Sequence, residues 1–159
     1  MIRAWRIVGE ARAAEAFTGE GARQFGGRWN SPGVAVIYAS EHQSLAALEL
    51  LVHLQPRGSL RFAAFAVEFD EELIEIVPVA SLPPQWRAEP PGAATMEIGD
   101  AWARKARAAV LAVPSVVIPQ ENNYLLNPIH SAFGRIKVQR PLDFTFDPRL
   151  VELSQLSRR

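Results

Sequence analysis

Apolar residues fall into short blocks punctuated by Gly, Pro and charge, and the period of each block predicts its conformation. Trp5 to Val8 reads as a first strand. Val34 to Ala39 is apolar and β-branched, carries Tyr38 and follows Pro32-Gly33, which is strand chemistry. From Gln43 to Leu54, Leu and Ala dominate, as in helices, and Ser40 with Gln43 has capping-box spacing. Arg61 to Asp70 alternates around Phe62, Phe65, Val67 and Phe69 and predicts another strand. Asp100 to Ala108 reads as a second helix. Two short strands follow, Ala109 to Val113 and Ser115 to Ile118, divided by Pro114 and closed by Pro119, with edge strands at Arg135 to Val138 and Phe144 to Phe146. The Pro-rich stretch Ser81 to Gly92 reads as a long surface loop within one domain. Strands and helices do not alternate as regular βαβ units, so the pattern predicts an α+β fold, a compact domain of mixed sheets with flanking helices.

A chain of 159 residues implies one domain spanning 1–159. Zero cysteine removes thiolate nucleophiles, thiolate metal sites and disulfides, and fits a reducing compartment. The zero net charge conceals a segmental balance: residues 1–30 carry five Arg and three Glu, 31–100 three Arg and ten acids, and 101–159 nine bases and four acids. That balance disfavours a protein that grips nucleic acid mainly through phosphates. The apolar run Leu45 to Leu54 is broken by Glu49 and His53 and is far short of the roughly 20 residues that span a bilayer. Met1 to Arg6 lacks the features of a signal peptide, so a cytoplasmic protein with no membrane partner is expected. His42, His53 and His130 lack metal-site spacing, and no metal is expected.

Three stretches could carry chemistry. Thr18 to Asn30 holds Gly19, Gly21, Gly26 and Gly27, a backbone able to turn sharply and approach a ligand. Arg23 and Arg28 there suit phosphate, although an ordinary glycine-rich surface loop would look the same. The stretch has neither the third glycine of a dinucleotide fingerprint nor the Gly-Lys-Ser/Thr of a P-loop. In the Gln43–Leu54 helix, Glu49 and His53 share a face, which is either a thin solvent stripe or the wall of a polar cleft. A short strand-to-helix connection would bring Arg28, Tyr38 and Glu49 towards one end of the sheet. Ser115 is a lone hydroxyl among apolar residues, and no Gly-x-Ser-x-Gly elbow surrounds it. Asn122, Asn123 and Asn127 suit turns.

Taken together these stretches resemble the RES domain, named for its Arg, Glu and Ser. The resemblance is carried by Gly26-Gly27-Arg28-Trp29-Asn30, Pro32-Gly33, Tyr38, Leu45-Ala46 to Glu49, His53, Val113-Pro114-Ser115 and Asn123-Tyr124-Leu125-Leu126-Asn127-Pro128. It runs from Trp5-Arg6-Ile7 to Phe146-Asp147-Pro148-Arg149-Leu150. The resemblance implies a toxin of a bacterial toxin-antitoxin pair, with a fold similar to ADP-ribosyltransferases of the diphtheria-toxin type. It implies action on NAD+ as substrate by cleavage of the nicotinamide-ribose bond, with water or phosphate as acceptor. Alternatives are mono-ADP-ribosyl transfer to a protein acceptor and, from another class, a non-catalytic nucleotide-binding module. The family's Arg-Arg-Tyr-Glu-Ser set falls on Arg6, Arg28, Tyr38, Glu49 and Ser115. In that reading Glu49 stabilises charge on the ribose, and Arg6 and Arg28 hold the pyrophosphate. Tyr38 stacks on nicotinamide or braces the ribose, and Ser115 orients Glu49 or bonds the nicotinamide amide. The implied partner is an Xre-like antitoxin that covers the active site, with no direct nucleic-acid contact.

Overall fold

A computed structural model describes residues 1–54 and 60–156. Along the first half run β1 (Ile2–Gly9), α1 (Glu20–Phe25), β2 (Ile37–Ser40), α2 (Gln43–Leu51), β3 (Phe62–Phe69) and β4 (Ile74–Ile76). Then come α3 (Ala93–Lys105), β5 (Val110–Pro114), β6 (Asn122–Leu126), β7 (Lys137–Val138), β8 (Leu142–Phe144) and α4 (Pro148–Leu156). The strands form one sheet in the order β4-β5-β6-β2-β1-β3-β7, with β8 on the same outer edge of β3 as β7. Among the described residues only the β4/β5 pair is parallel. The α+β expectation holds.

The two longest strands make the firmest ladder: β1 pairs with β3 from Ile2 opposite Phe69 to Gly9 opposite Phe62. β2 pairs along its whole length with β6 but meets β1 at one position, Trp5 opposite Ser40. The sheet is therefore nearly two sheets joined at a single rung. Side-chain hydrogen bonds supplement that seam: Arg6 Nη1 donates to the Tyr38 carbonyl at 2.7 Å and Nε to the Ala16 carbonyl at 2.7 Å.

Apolar packing fills both faces. One core joins Ala4, Ile37, Val67, Phe69, Val110 and Leu126, while Ile7, Ala46, Phe62, Ala64 and Phe146 pack around α2. On the same face as α2, opposite the first core, Trp29, Val36, Trp102, Leu111 and Leu125 bind α3 to the sheet. Such burial supplies about 1.5 to 3 kcal/mol for each large aliphatic or aromatic side chain removed from water, which outweighs weak local propensities.

Several boundaries differ from the sequence expectations, each for a local reason. The second strand begins at Ile37 rather than Val34, because Pro32-Gly33 closes a turn with Gly33 in a left-handed conformation. The first main helix stops at Leu51, three residues early. Ser40 does not cap it: His42 is the N-cap residue, and the Ser40 hydroxyl bonds across the sheet to Asn123. The second helix begins at Ala93, since Ala93 to Glu97 are compatible with helix directly after Gly92. Ser115 to Ile118 is a turn instead of a strand, and the strand that pairs with β5 is Asn122–Leu126. Its asparagines resemble turn formers, but burial of Tyr124, Leu125 and Leu126 decides the conformation. The last edge strand lies at Leu142–Phe144 rather than Phe144–Phe146.

Candidate active site

The glycine-rich stretch is held in a fixed shape from two sides. Gly27 N donates to Asn30 O at 2.9 Å, closing a turn with Arg28 and Trp29 at its tip. Trp29 is buried against Trp102 and Leu111, whereas Arg28 lines the cleft. From the sheet, the Tyr38 hydroxyl accepts the Trp29 N–H at 3.1 Å and donates to Asn30 Oδ1 at 2.7 Å. Asn30 Nδ2 in turn donates to the carbonyls of Ala22, Ser31 and Val34. From α3, Asp100 Oδ1 accepts the Ser31 N–H at 2.9 Å.

Two glycines make that fit possible. A Cβ on Gly27 would lie 2.7 Å from the Tyr38 hydroxyl, and one on Gly99 of α3 would lie 1.8 Å from the Trp29 carbonyl oxygen. Burial pushes the Tyr38 phenol well above its usual range, so its proton stays in place for Asn30.

Between this loop, β1, β2 and α2 lies a cleft of about 900 Å³. Arg6, Arg28, Tyr38 and Glu49 all line it. Arg6 reaches it from the seam between β1 and β2, and desolvation lowers its guanidinium to about 10, still a cation at neutral pH. Its Nε and Nη1 are engaged by carbonyls, which leaves Nη2 for the cleft.

Arg28 is more occupied. Nη1 donates to the carbonyls of Trp86 (3.0 Å) and Ala88 (2.8 Å), and Nη2 donates to Glu89 Oε2 at 2.9 Å. It thus ties the Pro-rich loop to the cleft, with a 13% exposed Arg28 side chain against a 72% exposed Glu89. Arg23 lies outside the lining and pairs with Glu20 on the surface.

Glu49 sits on α2 with its Oε1 held by two donors, Ser115 Oγ at 2.7 Å and Asn123 Nδ2 at 2.6 Å. The Ser115 hydroxyl also accepts the N–H groups of Val117 and Ile118, both at 3.0 Å. Its acceptor sites are filled and its one proton goes to Glu49. Ser115 is fully buried behind Glu49, outside the cleft lining. His53 is exposed and lines the cleft near the end of α2.

Two residues of the site were not singled out from sequence. Asn30 resembles any loop asparagine, and Asn123 resembles a turn former. The usable signal for Asn123 was its place beside an apolar Tyr-Leu-Leu run, which makes it a strand residue facing Ser40.

Arranged this way, the cleft joins an anionic oxygen, Glu49 Oε2, to two guanidinium groups across a volume that suits a nucleotide. Of the other carboxylates of the lining, Glu20 is paired with the surface Arg23 and Glu89 is itself largely exposed beside Arg28. Among the described residues no group of three His, Cys, Asp or Glu could hold a metal ion. No helix among them is long and apolar enough to cross a membrane.

Comparison with known proteins gives the family and the fold. The family model described as RES domain matches residues 3–147. The Yersinia enterocolitica protein named Toxin Res is 43% identical over 148 residues, covering 92% of this chain and 97% of that one. A Sphingobium protein named Prs ADP-ribosylating toxin is 42% identical over 154 residues, covering 92% and 95%. A chain in the crystal structure of the M. tuberculosis MbcT-MbcA toxin-antitoxin complex superposes with a TM-score of 0.73. At 20% identity it covers 99% of this chain and 88% of that one, which shows a shared fold.

Proposed function

The chain belongs to the RES domain family, and on that premise we propose that it is the toxin of a bacterial toxin-antitoxin pair that cleaves the nicotinamide-ribose bond of NAD+. The observation that carries this reading is the Glu49 carboxylate, fixed by Ser115 and Asn123 on the wall of a cleft that also presents Arg6 and Arg28.

The chemistry explains why one carboxylate is enough. Glycosidases ordinarily need a second carboxyl group to protonate a leaving alcohol. Nicotinamide in NAD+ is already cationic and departs neutral, so no general acid is required. What the reaction needs is negative charge near the ribose as positive charge develops there, and Glu49 Oε2 supplies it. Arg6 Nη2 and Arg28 then hold the pyrophosphate, for which a forked guanidinium is well suited. The Tyr38 ring flanks the ribose-nicotinamide end while its hydroxyl keeps the Arg28 turn in shape. Ser115 acts through Glu49, since its only proton is already donated there.

Water or phosphate as acceptor gives a glycohydrolase or phosphorylase that depletes NAD+. A second reading, transfer of ADP-ribose to a protein, is favoured by the name of the Sphingobium relative. In either case the cytoplasmic partner is an antitoxin of the Xre-like kind that covers the cleft. The test is nicotinamide release by the purified protein with NAD+ in water, in phosphate and in cell extract, with products identified by mass spectrometry. Free ADP-ribose, ADP-ribose phosphate or a modified protein each names an acceptor. No nicotinamide under any condition overturns the enzymatic reading.

A further inference from the structure

Glu49 Oε1 is held by a donor that the Arg-Arg-Tyr-Glu-Ser set leaves out. Asn123 Nδ2 lies 2.6 Å from it, slightly closer than Ser115 Oγ at 2.7 Å. An ionised carboxylate only accepts hydrogen bonds, so the Asn123 amide has to present its NH2 group to Glu49 and its oxygen away from it. On that far side the Ser40 hydroxyl donates to Asn123 Oδ1 at 2.7 Å. Ser40 is buried and stands directly opposite Asn123 in the β2/β6 ladder, so backbone pairing sets the reach of this contact.

Every proton in the chain therefore has one direction: Ser40 to Asn123, Asn123 to Glu49, and Ser115 to Glu49. The relay is anchored in two strands, whereas the carboxylate it grips stands on a helix and has flexible torsions of its own. Two donors on one oxygen remove that freedom. The second oxygen, Oε2, accepts from no described residue, and Glu49 lines the cleft.

We propose that Asn123 and Ser40 are positioning residues, which hold Glu49 through Oε1 in the orientation that presents Oε2 to the ribose of NAD+. The role in catalysis rests on the NAD+-cleaving reading of the cleft; the hold on Glu49 does not. A carboxylate left free to rotate meets the developing charge less often, while the pyrophosphate contacts that dominate ground-state binding are untouched. The loss falls on kcat rather than KM.

The test combines kinetics with structure. Asn123→Leu keeps the branched side-chain shape and deletes the donor; it lowers kcat for nicotinamide release by about 10- to 100-fold, the range for misplacing a reacting group, and changes KM by less than about threefold. Ser40→Ala frees the amide to turn over and lowers kcat by about three- to tenfold, while Ser40→Thr, which retains the hydroxyl, stays within about twofold of the parent. A crystal structure of Asn123→Leu shows Glu49 turned from Ser115 or spread over several rotamers. Unchanged kcat with Glu49 in its parental rotamer overturns the proposal. Unchanged kcat with a raised KM also overturns it, because Asn123 is then a ligand contact. If the parent protein releases no nicotinamide while Glu49 reorients in the variant, the hold on Glu49 stands and the NAD+ reading falls. Should Asn123→Leu fail to fold, the Ser40→Ala and Ser40→Thr pair carries the test: equal turnover in the two refutes the relay.

Discussion

Ser115 Oγ donates to Glu49 Oε1 across 2.7 Å, although 66 positions separate the two residues in the chain. The contact joins the turn after β5 to the last turn of α2, and with Asn123 of β6 on the same oxygen it makes one carboxylate oxygen the meeting point of three elements. Because the same hydroxyl accepts two backbone N–H groups, the fold of the Ser115–Ile118 turn and the orientation of Glu49 are coupled.

Replacing Glu49 with Gln preserves shape and removes the charge. Nicotinamide release is expected to fall by about 100-fold or more, the scale of a lost electrostatic stabiliser in a desolvated site. Thermal unfolding should stay within a few degrees of the parent. Turnover near the parental rate would remove Glu49 from the mechanism.

Ser115→Ala has a dual outcome. The N–H groups of Val117 and Ile118 lose their acceptor, so stability drops by about 1 to 3 kcal/mol, measured by urea denaturation. Turnover drops as well, because Glu49 keeps only the Asn123 donor. A variant as stable and as active as the parent would show that neither bond matters.

Arg28 meets its own loop before it meets a phosphate. Glu89 is the charged partner to be displaced when Nη2 binds pyrophosphate, and its exposure makes the pair weak, about 0 to 1 kcal/mol. Glu89→Gln is accordingly expected to lower KM for NAD+, by no more than about fivefold. Arg28→Ala should raise it. An NAD+ affinity indifferent to both changes would leave Arg28 as an anchor for the Pro-rich loop alone.

Gly99 is the point where α3 touches the backbone of Trp29. A methyl group there would sit 1.8 Å from a carbonyl oxygen that cannot rotate away. Gly99→Ala is expected to cost about 3 kcal/mol or more, as overpacking against backbone does, and to disturb the Arg28 turn. Circular dichroism melts would detect the loss; an unchanged midpoint would mean that the helix shifts freely.

How much of this was legible beforehand varied with the range of the forces involved. The strand Arg61 to Asp70 was readable because its alternation reflects a sheet with buried positions, and the structure places β3 within that span. The helix containing Glu49 was readable from local composition, to within three residues at its end. The β-branched residues of the Ser115–Ile118 segment favour a strand, whereas the fold uses the Ser115 hydroxyl to close a turn there. Asn122 and Asn123 look like turn residues, yet they pair in β6 because the partner strands β5 and β2 are brought alongside them by distant parts of the chain. The resemblance to the RES domain groups Arg6, Arg28, Tyr38, Glu49 and Ser115; the fold puts the first four on one cleft and buries Ser115 behind Glu49, outside the lining.

The sequence by itself determined the α+β class, the principal strands and helix, and the residue types available for chemistry: a lone carboxylate on an apolar helix, arginines near the N-terminus, and a serine after Pro114. These follow from local pattern and composition. The tertiary structure alone decided which hydroxyl serves which partner: Ser40 braces Asn123 instead of capping a helix, Ser115 lies behind Glu49, and Arg28 holds the Pro-rich loop. Hydrogen bonds are short-ranged and directional, so their partners are set by which strands and turns come within about 3 Å. Local pattern carries no record of that juxtaposition; it arises when the sheet assembles.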